Sequence, residues 1–160
     1  SVATAHRLYS QGHRGVATLR AAGGQGLSAV QMVGLKYYEE FLQRIPRVEV
    51  EQIIERVKRV CKENMGEEWN DVEIVCCGSY RRGKETCGDI DLLVTKKGQF
   101  ESTLLPRMVK LLQNDGLLNE TLQLMKEPGD RGMQTYMGVC SLPIANPPIH
   151  RRIDIKVPTP

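Results

Sequence analysis

Apolar residues recur at helical spacing twice in the first half of the chain. Leu35, Tyr38, Phe41, Leu42 and Ile45 make one stripe, Pro46 interrupts it, and Val50, Ile53, Ile54, Val57 and Cys61 make a second. Side chains three and four positions apart share one helix face, so each stripe predicts a helix that buries that face. Ahead of them, residues 1–33 read as short helical pieces broken by Gly12, Gly15, Gly23, Gly24 and Gly26, with Ser28 as a cap for the next turn. From Asp71 the period changes. VEIVCC at 72–77 is a short apolar run with a β-branched bias, the pattern of a buried strand, and IDLLV at 90–94 is a second. A helix is expected over 104–112, ending near Gly116. YMGVCSL at 136–142 and IHRRIDIKV at 149–157 supply further strands, separated by a proline-rich turn. The last alternates cleanly, with Ile153, Ile155 and Val157 on one face and Arg152, Asp154 and Lys156 on the other. The expected fold is α+β (mixed): a helical region over residues 1–46, then a mixed β-sheet flanked by helices over 47–160.

Composition narrows the class. A chain of 160 residues with 41% hydrophobic and 26% charged residues is that of a globular protein. No apolar run approaches the roughly 20 residues of a membrane helix. The opening SVATAHRLYSQG has no apolar core of signal-peptide type, and the first residue is not Met, so an earlier targeting segment is left open. Five cysteines, an odd number without a CxxC pair, predict reduced thiols in an intracellular protein. Net charge is only +3, but its distribution is uneven: Arg7, Arg14, Arg20 and Lys36 all precede the first acid, Glu39. That is the pattern of a phosphate-contacting end, or of a solvated basic face.

Candidate chemistry gathers in GSYRRGKETCGDIDLLV, residues 78–94. Asp89 and Asp91 lie two apart at a predicted strand, so both carboxylates are expected on one face. Side by side they repel, a cost that a divalent cation with a preference for oxygen ligands would remove. Alone, the pair also reads as two exposed aspartates on an edge strand. Gly78-Ser79 directly after a buried strand changes the weighing. A turn into a helix there would aim backbone N–H groups at a phosphate, Ser79 would add a hydroxyl, and Arg82 a bidentate cation. Should the last strand lie near IDLLV, Asp154 becomes a third carboxylate of a two-metal site and the candidate proton acceptor.

These motifs resemble those of a known family. GSYRRGKETCGDIDLLV, with nine residues between Ser79 and Asp89, is similar to the GS-to-DxD signature of nucleotidyl transferases. The RRG insert, GLKYYEEFLQRIPR at 34–47, MGVCSLP at 137–143 and HRRIDI at 150–155 resemble, in order, the family X DNA polymerases. Within that family Tyr80 and the Thr86-Cys87 pair resemble the lambda branch, with the beta branch second. The terminal transferase and mu branches typically carry histidine at the place of Gly88. The resemblance implies a catalytic palm with Asp89, Asp91 and Asp154 as metal ligands for two Mg²⁺ ions, Mn²⁺ substituting. It implies that Arg152 orients the carboxylates, and that Gly78, Ser79, Arg82, Cys87, Gly88 and Arg44 hold the triphosphate. Cys87, where the beta branch has serine, is expected to contribute its backbone alone.

The activity implied is template-directed transfer of a deoxynucleotidyl group from a dNTP to a primer 3′-hydroxyl in nuclear DNA repair. The implied partners are gapped or primer–template DNA and other repair proteins, with no membrane. Residues 1–33 resemble the later part of a helix-hairpin-helix that grips the DNA backbone. The glycines of that hairpin, the lyase domain and the nucleoside-binding subdomain are expected to lie outside these 160 residues. Two alternatives stay open: another nucleotidyl transferase of the same fold, such as a terminal transferase or an RNA-tailing enzyme, and a non-catalytic DNA-binding module.

Overall fold

Three short helices occupy the start of the chain: α1 (Val2–Ser10), α2 (Val16–Ala21) and α3 (Ala29–Lys36). They are taken from a computed structural model, which describes residues 2–123 and 132–160; residue 1, within the helical start read from the sequence, lies outside them. Ser28 caps α3 as expected. Its Oγ accepts from the Gln31 N–H at 3.2 Å, and Gln31 Oε1 accepts from the Ser28 N–H at 3.0 Å. Gly24 needs to be glycine on two counts, a φ of +69° and a Met32 side chain that fills the space a Cβ would take. The early arginines are partly engaged. Arg7 donates to the Gly26 carbonyl, Arg20 to that of Leu35 at 2.8 Å, and Arg14 to that of Tyr9 at 2.6 Å while lying over the Tyr9 ring. Part of the basic character read as phosphate contact thus ties these helices together.

The chain divides into two compact units, Ser1–Tyr38 and Glu39–Pro160. The second takes in all but the first residue of α4 (Tyr38–Leu42), the two-residue strand β1 (Ile45–Pro46) and the long α5 (Arg47–Met65). Pro46 breaks the helical stripe as predicted, but the stretch before it is two short helices and a strand rather than one helix. A 3₁₀ turn, Gly66–Asp71, leads to β2 (Val72–Cys76), β3 (Thr86–Cys87) and β4 (Ile90–Lys96). Next come α6 (Leu104–Asp115), β5 (Leu118–Gln123), β6 (Met133–Cys140) and β7 (Arg151–Pro158). α6 stops at Gly116, whose φ of +89° only glycine adopts cheaply.

The main sheet has the order β2-β4-β7-β6-β5, with β4 and β7 parallel and the other neighbours antiparallel. β1 and β3 form a separate antiparallel ribbon, Ile45 opposite Cys87. Ile90, Leu92 and Val94 of β4 and Ile153, Ile155 and Val157 of β7 are buried in one core with the apolar faces of α5 and α6. The alternate residues of β7, Arg152, Asp154 and Lys156, remain half-buried on the other face. Helices therefore seal one side of the sheet and leave the polar side for chemistry. Among the described residues no helix is long and apolar enough to cross a membrane.

A four-member ion network pins the 3₁₀ turn to the sheet and to α6. Glu68 accepts from Lys96 at 2.8 Å and from both ends of the Arg107 guanidinium at 2.8 and 2.7 Å, while Glu101 accepts from the same two cations. Hydrogen bonds from Arg107 and then Lys96 hold the Glu68 carboxyl down to about 2, against the opposing effect of burial. A depressed carboxyl contributes stability above its unfolded value of 4.5 and loses it as pH falls through about 2. Glu68→Gln should therefore melt below the native chain at neutral pH, and the gap should close across that acid window. A gap that stays constant with pH would refute this account.

Candidate active site

β4 and β7 run parallel with Asp91 opposite Asp154 in register. Strand neighbours lie about 4.8 Å apart, and register partners in a sheet point to the same face. The two carboxylates are thus adjacent on the open side. Asp89 is not in the strand, which starts at Ile90; it stands exposed in the bend just before it. Its field still reaches Asp154. Burial pushes the Asp154 carboxyl up from the ordinary aspartate value; Arg152 and Lys156 oppose this, and Asp89 and Asp91 add to it.

The two basic residues of β7 sit among the carboxylates. Both Arg152 terminal nitrogens donate to Asp154 Oδ1, at 3.3 and 3.2 Å, and Nη1 also donates to the Gly138 carbonyl at 3.1 Å. Lys156 Nζ lies 3.5 Å from Asp91 Oδ1. Among the described residues no three acidic, His or Cys side chains close around a single ion. Of the three aspartates expected to converge, Asp91 and Asp154 are register partners on neighbouring strands, and Asp89 lies just ahead of β4, within electrostatic reach of Asp154. Like charges repel, and the two cations draw Asp154 and Asp91 toward themselves. The donor chemistry nevertheless suits a hard cation: three carboxylates and no sulfur or imidazole.

Beyond β2 the chain makes a turn rather than the helix expected after Gly78-Ser79. Arg82 N–H donates to the Gly78 carbonyl at 3.3 Å, Gly83 to Tyr80 at 3.0 Å and Lys84 to Ser79 at 3.1 Å. Positive φ at Gly78 and Gly83, +66° and +78°, confines the helical winding to that one turn. Gly78 has open space where a Cβ would be, so a ligand can approach its backbone. Arg82 Nη2 donates to Ser79 Oγ at 3.2 Å, placing both predicted phosphate donors together. The Cys77 N–H, bonded to the Asp91 carbonyl at 2.8 Å, fixes this turn against the carboxylate strand.

Arg44 reaches the same neighbourhood from the residue just before β1, the other strand of the ribbon. Its Nε donates to Thr86 Oγ1 at 3.2 Å and Nη2 to the Thr86 carbonyl at 3.1 Å. A Cβ on Gly88 would lie 3.2 Å from Arg44 Nη1, so glycine there leaves room for the guanidinium. Cys87 is 1% exposed as a whole residue, backbone included, and packs in the core, so its thiol is withdrawn from the surface and the backbone contact expected of it is covered as well.

Sequence reading missed Arg47. From the first turn of α5 it donates to the carbonyls of Tyr80 at 2.9 Å and Lys84 at 3.3 Å, and stacks 3.9 Å from the Tyr80 ring. It braces the Gly78–Gly83 turn from below. An arginine immediately after Pro46 carries no periodic signal, and its partners lie more than thirty positions on.

Comparison with known proteins identifies the class of this sheet and then the family. The model for the DNA polymerase beta palm matches residues 44–160, and that for the fingers domain of DNA polymerase lambda matches residues 2–42. DNA polymerase lambda of Arabidopsis thaliana is 41% identical over 159 residues, covering 97% of this chain and 28% of that protein. DNA polymerase lambda of Rattus norvegicus is 40% identical over 157 residues, covering 96% and 26%. The human DNA-directed DNA/RNA polymerase mu is 34% identical over 119 residues, covering 73% and 23%. The chain belongs to the family X DNA polymerases. It spans 28% and 26% of the lengths of the two lambda relatives.

Proposed function

We propose that this chain carries the catalytic palm of a template-directed repair DNA polymerase, which joins a deoxynucleotidyl group to a primer 3′-hydroxyl and releases pyrophosphate. The observation that carries the reading is Asp91 in register with Asp154 on parallel strands, with the Gly78-Ser79 turn bonded to the same strand. Asp89, Asp91 and Asp154 are the ligands for two divalent cations of the Mg²⁺ type, with Mn²⁺ as substitute. Held there, such ions would supply screening of the phosphate charge and a lowered pKa for the attacking hydroxyl. Arg152 keeps the Asp154 carboxylate in place, and Asp154, raised by burial, is suited to accept the primer proton. The Gly78 and Gly88 backbones, Ser79, Arg82 and Arg44 hold the triphosphate, while Cys87, buried with its backbone, supports the strand beside them.

The division of labour proposed is a DNA-gripping region over residues 1–46 and the palm over 47–160, although residues 39–46 belong structurally to the second unit. The partners proposed are gapped or primer–template DNA, dNTP and other repair proteins, in the nucleus. A purely DNA-binding module is the competing reading. Carboxylates beside DNA phosphates weaken such binding, so the half-buried acids speak against it.

Arg82→Ala tests the pocket. It should weaken binding of a magnesium–deoxynucleotide complex by roughly 1.5–3 kcal/mol, the range for a charged hydrogen bond. Calorimetric titration of the chain with Mn²⁺, with and without deoxynucleotide, tests the metal site. No Mn²⁺ uptake under either condition would favour the DNA-binding module, and unchanged affinity in Arg82→Ala would return that arginine to the surface background.

A further inference from the structure

Arg151 lies on the opposite face of β7 from Arg152 and Asp154, where every neighbour in the strand's alternation is apolar. It is 4% exposed. A buried guanidinium is tolerable only when its donors are satisfied. Glu49, in the first turn of α5, accepts from its Nε at 3.3 Å and from Nη2. Nη1 turns to the chain just before β1 and donates to the carbonyls of Gln43 and Arg44, at 3.4 and 3.5 Å. The adjacent residue tightens the same corner: the His150 N–H and ring Nδ1 meet Glu40 Oε1 at 3.0 and 2.8 Å. Resting on the proposed triphosphate site, we infer that Arg151, held by Glu49, is a positioning residue for Arg44: it fixes the backbone from which the Arg44 guanidinium extends over Gly88.

The geometry makes consecutive residues of one strand serve two sets of phosphate-handling groups. Arg152 and Asp154 face the open carboxylate side. Arg151, through the covered side, sets the height and direction of the Arg44 backbone relative to that same strand. Any shift of β7 is thereby shared by the carboxylate and by Arg44. Lysine at 151 keeps the charge but offers a point-like ammonium, unable to span a bidentate carboxylate and two carbonyls at once.

The experiment is a mutant cycle on the 160-residue chain, reading the Kd of magnesium–dATP by NMR titration, with the folded fraction of each variant checked by circular dichroism. Arg44→Ala and Arg82→Ala should each weaken binding by more than about 10-fold, as for a lost charged hydrogen bond. Arg151→Lys should weaken it by about 5-fold. Combined with Arg44→Ala it should add less than about twofold, because the group it positions is gone; combined with Arg82→Ala the losses should multiply. Glu49→Gln, the gentler variant, should follow the same pattern at about 3-fold and stands in if Arg151→Lys does not fold. Losses that multiply with both arginine variants mean a general loosening of the fold and overturn the inference. So does unchanged affinity in Arg151→Lys or Glu49→Gln while Arg44→Ala is weakened. Unchanged affinity in Arg44→Ala itself sinks the triphosphate role of Arg44, and the inference with it.

Discussion

Alanine at Asp154 is expected to lower nucleotidyl transfer by about 10³-fold or more, a barrier increase of about 4 kcal/mol, while deoxynucleotide affinity changes little. The asymmetry follows from position. Asp154 sits on β7 with Arg152 bonded to its carboxylate, beside the in-register Asp91, and burial holds its carboxyl above the ordinary aspartate value. Those features suit a group that acts on the attacking hydroxyl. Asp91 lies on the strand whose backbone anchors the Gly78–Gly83 turn through Cys77. Asp91→Asn should therefore weaken divalent-metal and nucleotide binding together, since a cation held there completes its coordination with substrate phosphates. The assay is single-turnover extension of a gapped duplex, by a protein spanning the full length of the lambda relatives and carrying these residues. Transfer by Asp154→Ala within about tenfold of the native rate, or about 1.4 kcal/mol, would remove Asp154 from the chemistry.

The parts of this site that were legible in the sequence are those governed by short-range periodicity. Ile153, Ile155 and Val157 alternate with Arg152, Asp154 and Lys156 at period two, and the burial of β7 follows that alternation. The apolar stripe from Val50 to Cys61 marks the face α5 buries. What failed depended on boundaries and on distant partners. Asp89, expected on the strand, precedes it by one residue, and the helix expected after Gly78 is a single turn closed by a second positive-φ glycine, Gly83. β5 went unread because LNETLQ has little β-branched bias and pairs with β6 through register shifts. The ion pair between Arg151 and Glu49 joins residues 102 positions apart, so no local pattern announces it. The alternation in HRRIDI sets Arg151 on the apolar face and Arg152 beside Asp154; only the fold tells that Glu49 meets Arg151 there.

That division of β7 into a core face and a chemical face sets up the largest expected effect on stability. Ile155 is fully buried at the centre of the sheet, opposite Leu92 on β4 and Tyr136 on β6. Ile155→Ala should cost roughly 2–5 kcal/mol, combining lost burial with the cavity left behind. A loss of that size is a large share of a small domain's stability, typically about 5–15 kcal/mol. The adjacent Asp154 points the other way, and strand hydrogen bonds fix the backbone regardless of the side chain at 155. Urea denaturation gives the stability, and Mn²⁺ affinity of the folded fraction, measured well below the transition, gives the state of the carboxylates. The expected result is a lower urea midpoint at unchanged m-value, with Mn²⁺ affinity per folded molecule within about twofold of native. A stability loss under about 1 kcal/mol would place Ile155 outside the tightly packed core. Loss of Mn²⁺ binding in molecules that remain folded would show that the carboxylates depend on the packing beneath them, and that the two faces of the strand are not independent.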